Sequence, residues 1–99
     1  MLVKIDLDVH ASIIRNNTVQ IGASVGSEYV MLHLETGEYI SINEMGHAIW
    51  NKLSSNRVIL NLIQEMTEEF DVSPAQCRKE TLDFISTLYD KGLIKELPL

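Results

Sequence analysis

The hydrophobic pattern of this chain changes its period at Asn43, and that change constrains the fold more than any other feature. Residues 38–42 alternate polar and apolar side chains as a half-buried strand does, whereas the residues that follow repeat at helical spacing. Asn43 is suited to begin the helix, because its side-chain oxygen accepts from N–H groups of the first turn. No further strand is evident after this one. The edge of this strand is therefore either a site of unwanted pairing between chains or a docking site for another peptide.

The residues before Asn43 favour extended structure. Period-two alternation runs through residues 3–10, and further strands are predicted at residues 19–23 and 28–35. Thr36 and Gly37 predict a two-residue reversal between the last of these and the strand at residues 38–42. The first half of the chain is therefore predicted to form an antiparallel sheet.

Three helices are predicted after Asn43, at residues 44–53, 57–69 and 74–91. Ser73 and Pro74 are typical of the first positions of a helix, Gln76 suits a capping box, and Gly92 is typical of the residue after a helix end. The apolar spacing predicts a set of inward-facing helical positions: Ile49, Trp50, Leu53, Ile59, Leu62, Ile63, Met66, Cys77, Thr81, Phe84, Ile85 and Leu88.

These elements predict a single domain of the α+β class over residues 1–99. A small three-stranded antiparallel sheet followed by three helices has the outline of a winged-helix domain. After the third helix, Leu93 and Ile94 are expected to pack back onto the core.

Composition narrows the classes of partner and compartment. The formal charge is −6, from 14 acidic and 8 basic side chains without basic clusters, which disfavours nucleic acid. No apolar run is long enough to span a membrane, and the first residues lack a signal peptide's continuous apolar region. A single cysteine cannot form an internal disulfide. These features predict a cytoplasmic protein without a membrane segment.

The sequence carries no recognisable catalytic or cofactor motif. His10, His33 and His47 are scattered, and each is interpreted as a surface or hydrogen-bonded histidine. One cysteine and no paired histidines give no metal-ligand spacing, and Cys77 fits a small core residue. We therefore expect a protein that is not an enzyme and that needs no metal and no cofactor.

Two binding functions remain, namely peptide capture and DNA binding. For peptide capture, the residues alone do not separate a docking edge from an ordinary inner strand. The strand at residues 38–42 suits capture of a peptide as an added strand, but it also suits an ordinary inner strand covered by the N-terminal segment. A DNA-reading third helix is disfavoured, because its exposed positions are nearly neutral: Arg78, Lys79, Glu80, Asp83 and Asp90.

Residues 37–50 resemble the signature G-x-Y-x-x-L-N-x-x-G-x-x-I-W of PqqD-like proteins, a family named for a pyrroloquinoline quinone biosynthesis protein. The resemblance covers residues 28–96 and continues through Phe70, Cys77 and Phe84 to Ile94. It departs from the usual pattern at Ile42, which replaces leucine, and at Glu80, where the family has aspartate.

This resemblance implies a recognition element for the leader of a ribosomally synthesised, modified precursor peptide (RiPP). The implied fold is winged-helix-like, and the leader joins the sheet as an added strand beside the third helix. The sequence most resembles stand-alone members of lasso-peptide pathways, whose partners are the precursor leader and a leader peptidase. The alternative is a peptide chaperone for a radical-SAM maturation enzyme.

Carried onto this chain, the resemblance places the binding strand at Glu38, Tyr39, Ile40, Ser41 and Ile42. For the helical wall, we select the side of the third helix that carries Glu80, Asp83, Phe84 and Thr87, because Phe84 is able to floor an apolar pocket. The opposite side carries Arg78, Leu82 and Tyr89. Substituting proline for Ile40 is expected to block strand addition, provided that the backbone N–H of Ile40 faces the ligand.

Overall fold

The computed structural model describes residues 9–16, 19–21 and 29–97. The described elements follow in this order: β1 (Ser12–Arg15), β2 (Val19–Ile21), β3 (Tyr29–His33), β4 (Tyr39–Ile42), α1 (Glu44–Lys52), β5 (Arg57–Val58), α2 (Ile59–Glu69), α3 (Pro74–Asp90) and β6 (Ile94–Leu97). The predicted α+β class is confirmed. The strand predicted at residues 3–10 lies outside the described residues except for 9 and 10, which form a turn.

The sheet that carries the predicted binding strand has the order β2-β3-β4, so β4 lies at an edge of the described sheet. β3 and β4 pair antiparallel, with Tyr29 opposite Ile42 and Leu32 opposite Tyr39. β3 ends at His33, whose N–H donates to the Glu38 carbonyl oxygen at 2.9 Å. The predicted two-residue reversal was therefore wrong. Residues 34–37 make a longer turn, in which Gly37 supplies a φ of 74°.

A second antiparallel sheet, with the order β5-β1-β6, was not predicted. Ser12 lies opposite Val58 on one side and opposite Leu97 on the other. Residues 57 and 58 were predicted to begin the second helix, but they pair with β1 and the helix starts at Ile59. Both partners of β1 are far away in the sequence, so local periodicity carries no signal for them.

The predicted starts of the first and third helices are confirmed by their caps. The Asn43 side chain accepts from the Gly46 N–H at 2.8 Å, and the Ser73 hydroxyl accepts from the Gln76 N–H at 3.2 Å. Both bonds satisfy N–H groups that have no partner within the helix.

The predicted inward-facing positions lie in the core and are each 7% exposed or less, except Phe84, which is half-buried against the edge of the core. The tryptophan, Trp50, is 2% exposed, and the Arg15 guanidinium lies 5.3 Å from its ring centroid. Leu93 and Ile94 are also buried, as expected. Burial of the apolar faces of α1, α2 and α3 against one another fixes the position of α3 relative to β4.

Candidate functional site

A groove of about 340 Å³ runs between the edge strand β4, the start of α1 and one side of α3. β4 contributes Ile40, Ser41 and Ile42 to the lining of the groove. The cap and body of α1 contribute Asn43, Met45, Gly46 and Ile49, and α3 contributes Glu80, Asp83, Phe84 and Thr87.

Gly46 allows the three walls of the groove to approach closely. A Cβ atom built at Gly46 would lie 3.3 Å from the Ile42 Cβ and 3.4 Å from the Phe84 Cζ. Such contacts are tighter than ordinary van der Waals packing. A residue without a side chain therefore lets the end of β4, the first turn of α1 and the Phe84 ring meet.

The register of the sheet determines which backbone groups of β4 face outward. Hydrogen-bonded pairs alternate with non-bonded pairs in an antiparallel ladder. Since Glu38 is bonded to His33, the register makes Ile40 and Ile42 the residues that bond to β3. The N–H and C=O groups of Tyr39 and Ser41 consequently point away from β3, and no other described strand lies on that side.

This register corrects the expectation for proline at Ile40. The Ile40 N–H faces β3, so it is not a donor for an added strand. Ser41 is the position in mid-strand where proline removes an outward donor. Sequence reasoning could not make this distinction, because the phase of the ladder depends on which residues the turn pairs.

The side chains of β4 alternate between the two faces of the sheet. Ile42 is 5% exposed and Ile40 is half-buried, both on the face that packs toward the helices. Tyr39 is 72% exposed and does not line the groove. An added strand would therefore direct alternate side chains into the groove, beside Ile40 and Ile42.

The structure brings most of the predicted site residues to this groove: Ile40, Ser41, Ile42, Glu80, Asp83, Phe84 and Thr87. Glu38 and Tyr39 lie just outside it, at the start of β4. Sequence reasoning missed Asn43, Met45, Gly46 and Ile49. A signal for them was present, because a helix that begins directly after a strand must place its first turn against the end of that strand.

The opposite side of α3 does not reach the groove. Arg78 is exposed, Leu82 packs against the core, and Tyr89 is 37% exposed. None of the three lines the groove.

The helical wall of the groove is acidic. Glu80 and Asp83 line it, whereas no Lys or Arg among the described residues does so. Asp83 accepts from the Lys79 ammonium at 2.8 Å, and this hydrogen bond raises the pKa of Lys79 above its ordinary value. At the other end of α3, the Lys91 Nζ lies 3.1 Å from the Glu38 Oε2.

The two described histidines that lie within secondary structure have partners that account for them. The His33 Nδ1 accepts from the Glu35 N–H at 3.2 Å, and the His47 ring stacks on Tyr29 with centroids 3.7 Å apart. Cys77 is fully buried, with its Sγ 3.8 Å from the Ile63 carbonyl oxygen. Within the described residues, no three His, Cys, Asp or Glu side chains are grouped as metal ligands. No helix in that part of the chain has both the length and the hydropathy to cross a membrane.

A small α+β protein in which the edge strand of a described sheet lies beside a groove is the class that this geometry defines. The chain matches the family described as coenzyme PQQ synthesis protein D (PqqD) over residues 28–94. It therefore belongs to the PqqD family, as the sequence motif predicted.

Two solved structures share the fold over 87% of this chain. TbiB1 in complex with the TbiA(beta) leader peptide is 24% identical, with a TM-score of 0.67 and 99% of that chain covered. Lasso peptide synthetase B1 complexed with the leader peptide is 20% identical, with a TM-score of 0.65 and 98% of that chain covered. No curated protein matches the chain.

Proposed function

We propose that this protein binds the leader segment of a ribosomally synthesised precursor peptide as a strand added to β4. The observation that carries the proposal is the outward direction of the Tyr39 and Ser41 backbone groups, directly beside a groove. Backbone hydrogen bonds supply affinity in strand addition, and neighbouring pockets select side chains. The two solved structures that share the fold are both leader-peptide complexes, which supports this assignment.

In this proposal the protein is a non-catalytic partner that presents the leader to maturation enzymes. Holding the leader raises the effective concentration of the attached core peptide at the enzyme. A lasso-peptide pathway with a leader peptidase is favoured, because one of the structural neighbours is a lasso peptide synthetase B1. The lone buried Cys77 suits the reducing cytoplasm as the compartment.

The second candidate is a peptide chaperone for a radical-SAM enzyme, which the description of the matched family favours.

DNA binding by α3 is further disfavoured. Lys79 already pairs with Asp83, and Glu80 lies beside them, so this side of the helix offers phosphate little positive charge.

Binding of candidate leaders tests the proposal. Short reading frames next to the gene supply candidate precursors, and their fluorescently labelled N-terminal segments are titrated with the protein by anisotropy. Ser41→Pro is expected to weaken binding by about tenfold or more, since it removes an outward donor. Ser41→Ala is the matched control and is expected to bind as the unsubstituted protein does.

The fold of the variants is checked by thermal unfolding. Ser41→Pro is tolerated at a sheet edge, whereas Ile40→Pro removes a bond to β3 and is expected to lower stability markedly. If Ser41→Pro and Ser41→Ala bind a leader equally well, strand addition to β4 is wrong. If none of the candidate segments binds, the leader-binding function itself is contradicted.

A further inference from the structure

We infer that the groove selects a peptide with an apolar side chain and a Lys or Arg two residues away on the same face. The apolar side chain lies against Phe84, and the cation lies beside Glu80 and Asp83. This inference rests on the proposed function, because it specifies the chemistry of the segment that β4 captures.

The spacing follows from the geometry of a strand beside a helix. Side chains that point to the same face of a strand are about 6.6 Å apart along it. Glu80 and Phe84 are four residues apart on α3, which corresponds to about 6 Å along the helix axis. Two successive groove-facing side chains of an added strand therefore match the separation of Phe84 and Glu80.

The groove has a direction, because α3 runs antiparallel to β4. Lys91, just after the end of α3, contacts Glu38 just before β4, whereas Phe84 approaches Gly46, beyond the end of β4. Glu80 lies one further turn toward the start of the helix. The cation of the ligand is therefore expected at or beyond Ile42, and the apolar side chain between Ile40 and Ile42.

Charge complementarity favours a basic ligand side chain at the end of the groove that Glu80 and Asp83 line. In the described part of the chain Glu80 forms no ion pair within 4 Å, although its charge acts on the Lys79 ammonium, and Lys79 itself is a 71% exposed side chain in a surface pair with Asp83. A ligand cation would gain from both carboxylates, and a ligand carboxylate would be repelled. Because the site is partly exposed, the expected preference for Lys over Glu is about five- to tenfold and weakens with salt.

A selection from random peptides tests this inference even while the natural leader is unidentified. Peptides of about nine residues, long enough to span β4 in extended form, are selected by mRNA display on the purified protein. Enriched peptides are expected to carry Lys or Arg two residues from an apolar residue and to lack Asp and Glu there. The Kd of one enriched peptide is then compared with that of its Lys→Glu form by anisotropy at low and high salt.

Protein variants assign the preference to the groove. The double substitution Glu80→Gln and Asp83→Asn is expected to abolish the difference between the Lys and Glu peptides. Glu68→Gln with Asp71→Asn changes the net charge equally at exposed positions outside the groove, and this control is expected to retain the difference.

The possible outcomes distinguish failure of the proposed charge preference from failure of leader binding. Peptides enriched without a charge preference, or a preference that survives substitution of Glu80 and Asp83, would overturn the inference and leave leader binding standing. If the selection enriches no peptide at all, both the inference and strand capture by β4 are contradicted.

Discussion

At the scale of single residues, Gly46 shows why the family motif needs a glycine two residues into the helix. Its φ is not positive, so backbone conformation does not require glycine. The requirement is space, since a Cβ there would meet Ile42 and Phe84 at 3.3 and 3.4 Å. The same residue therefore serves packing and lets the Phe84 ring, which lines the groove, lie close to the end of β4.

We predict that Gly46→Val lowers the free energy of unfolding by about 1–3 kcal/mol, because its methyl groups overpack this contact. Urea denaturation measures the change. Gln64→Val, at an exposed position within α2, is the control for placing a β-branched residue in a helix. Equal losses for the two variants would show that close packing at Gly46 is unimportant.

At the scale of elements, the end of α3 is fixed by a local motif. The Leu93 N–H donates to the Leu88 carbonyl oxygen at 2.9 Å, and the Gly92 N–H donates to that of Tyr89 at 3.0 Å. This is a Schellman motif, and it requires Gly92 in the left-handed region, where its φ is 72°. The motif turns the chain into β6 and sets where Lys91 meets Glu38.

Gly92→Ala is expected to cost about 1 kcal/mol or somewhat more, because a Cβ disfavours this conformation. The space around the site is open, so backbone strain is the only expected cause. Gly92→Asn should lose less, since asparagine tolerates left-handed geometry. Thermal unfolding of the two variants checks the order, and an equally stable Gly92→Ala would argue against the motif.

At the scale of the whole molecule, charged side chains join α1 to α2 on the surface of the core. The Lys52 ammonium contacts Glu69 and lies 3.4 Å from the Glu65 Oε1, while the Arg57 Nε lies 3.3 Å from the Glu65 Oε2. The hydrogen bond to Glu69 is the largest cause that raises the pKa of Lys52, against a smaller opposing effect of burial. Charged Lys52 therefore favours the folded state.

This linkage predicts a stability change at alkaline pH. Because the folded pKa is raised above the ordinary 10.5, the contribution of Lys52 is complete below that pH and is lost as pH rises through the folded pKa. The difference in unfolding free energy between the protein and Lys52→Met should therefore shrink as pH rises above 10.5. Lys95→Met, at an exposed position, is the control and should show a constant difference. A constant difference for Lys52→Met would contradict the linkage.

Local patterns in the sequence determined the helices, their caps, the core and the family. Asn43 and Ser73 cap helices through bonds within three residues, and the spacing of Ile49, Trp50 and Leu53 defines a buried face whatever lies opposite. These features are readable because their causes lie within a few residues of each other along the chain. Seven of the nine site residues that were selected through the family resemblance line one groove, but their convergence depends on how α3 packs against the core.

Tertiary structure alone decided the pairing of distant segments and the phase of the sheet. Ser12 finds partners at Val58 and Leu97, which no local period reveals. The turn at residues 34–37 sets the β3–β4 register, and that register makes Ser41 rather than Ile40 an outward donor. Packing of α3 against the core places Glu80 and Phe84 beside β4. The acidic, directional groove therefore exists only in the tertiary structure.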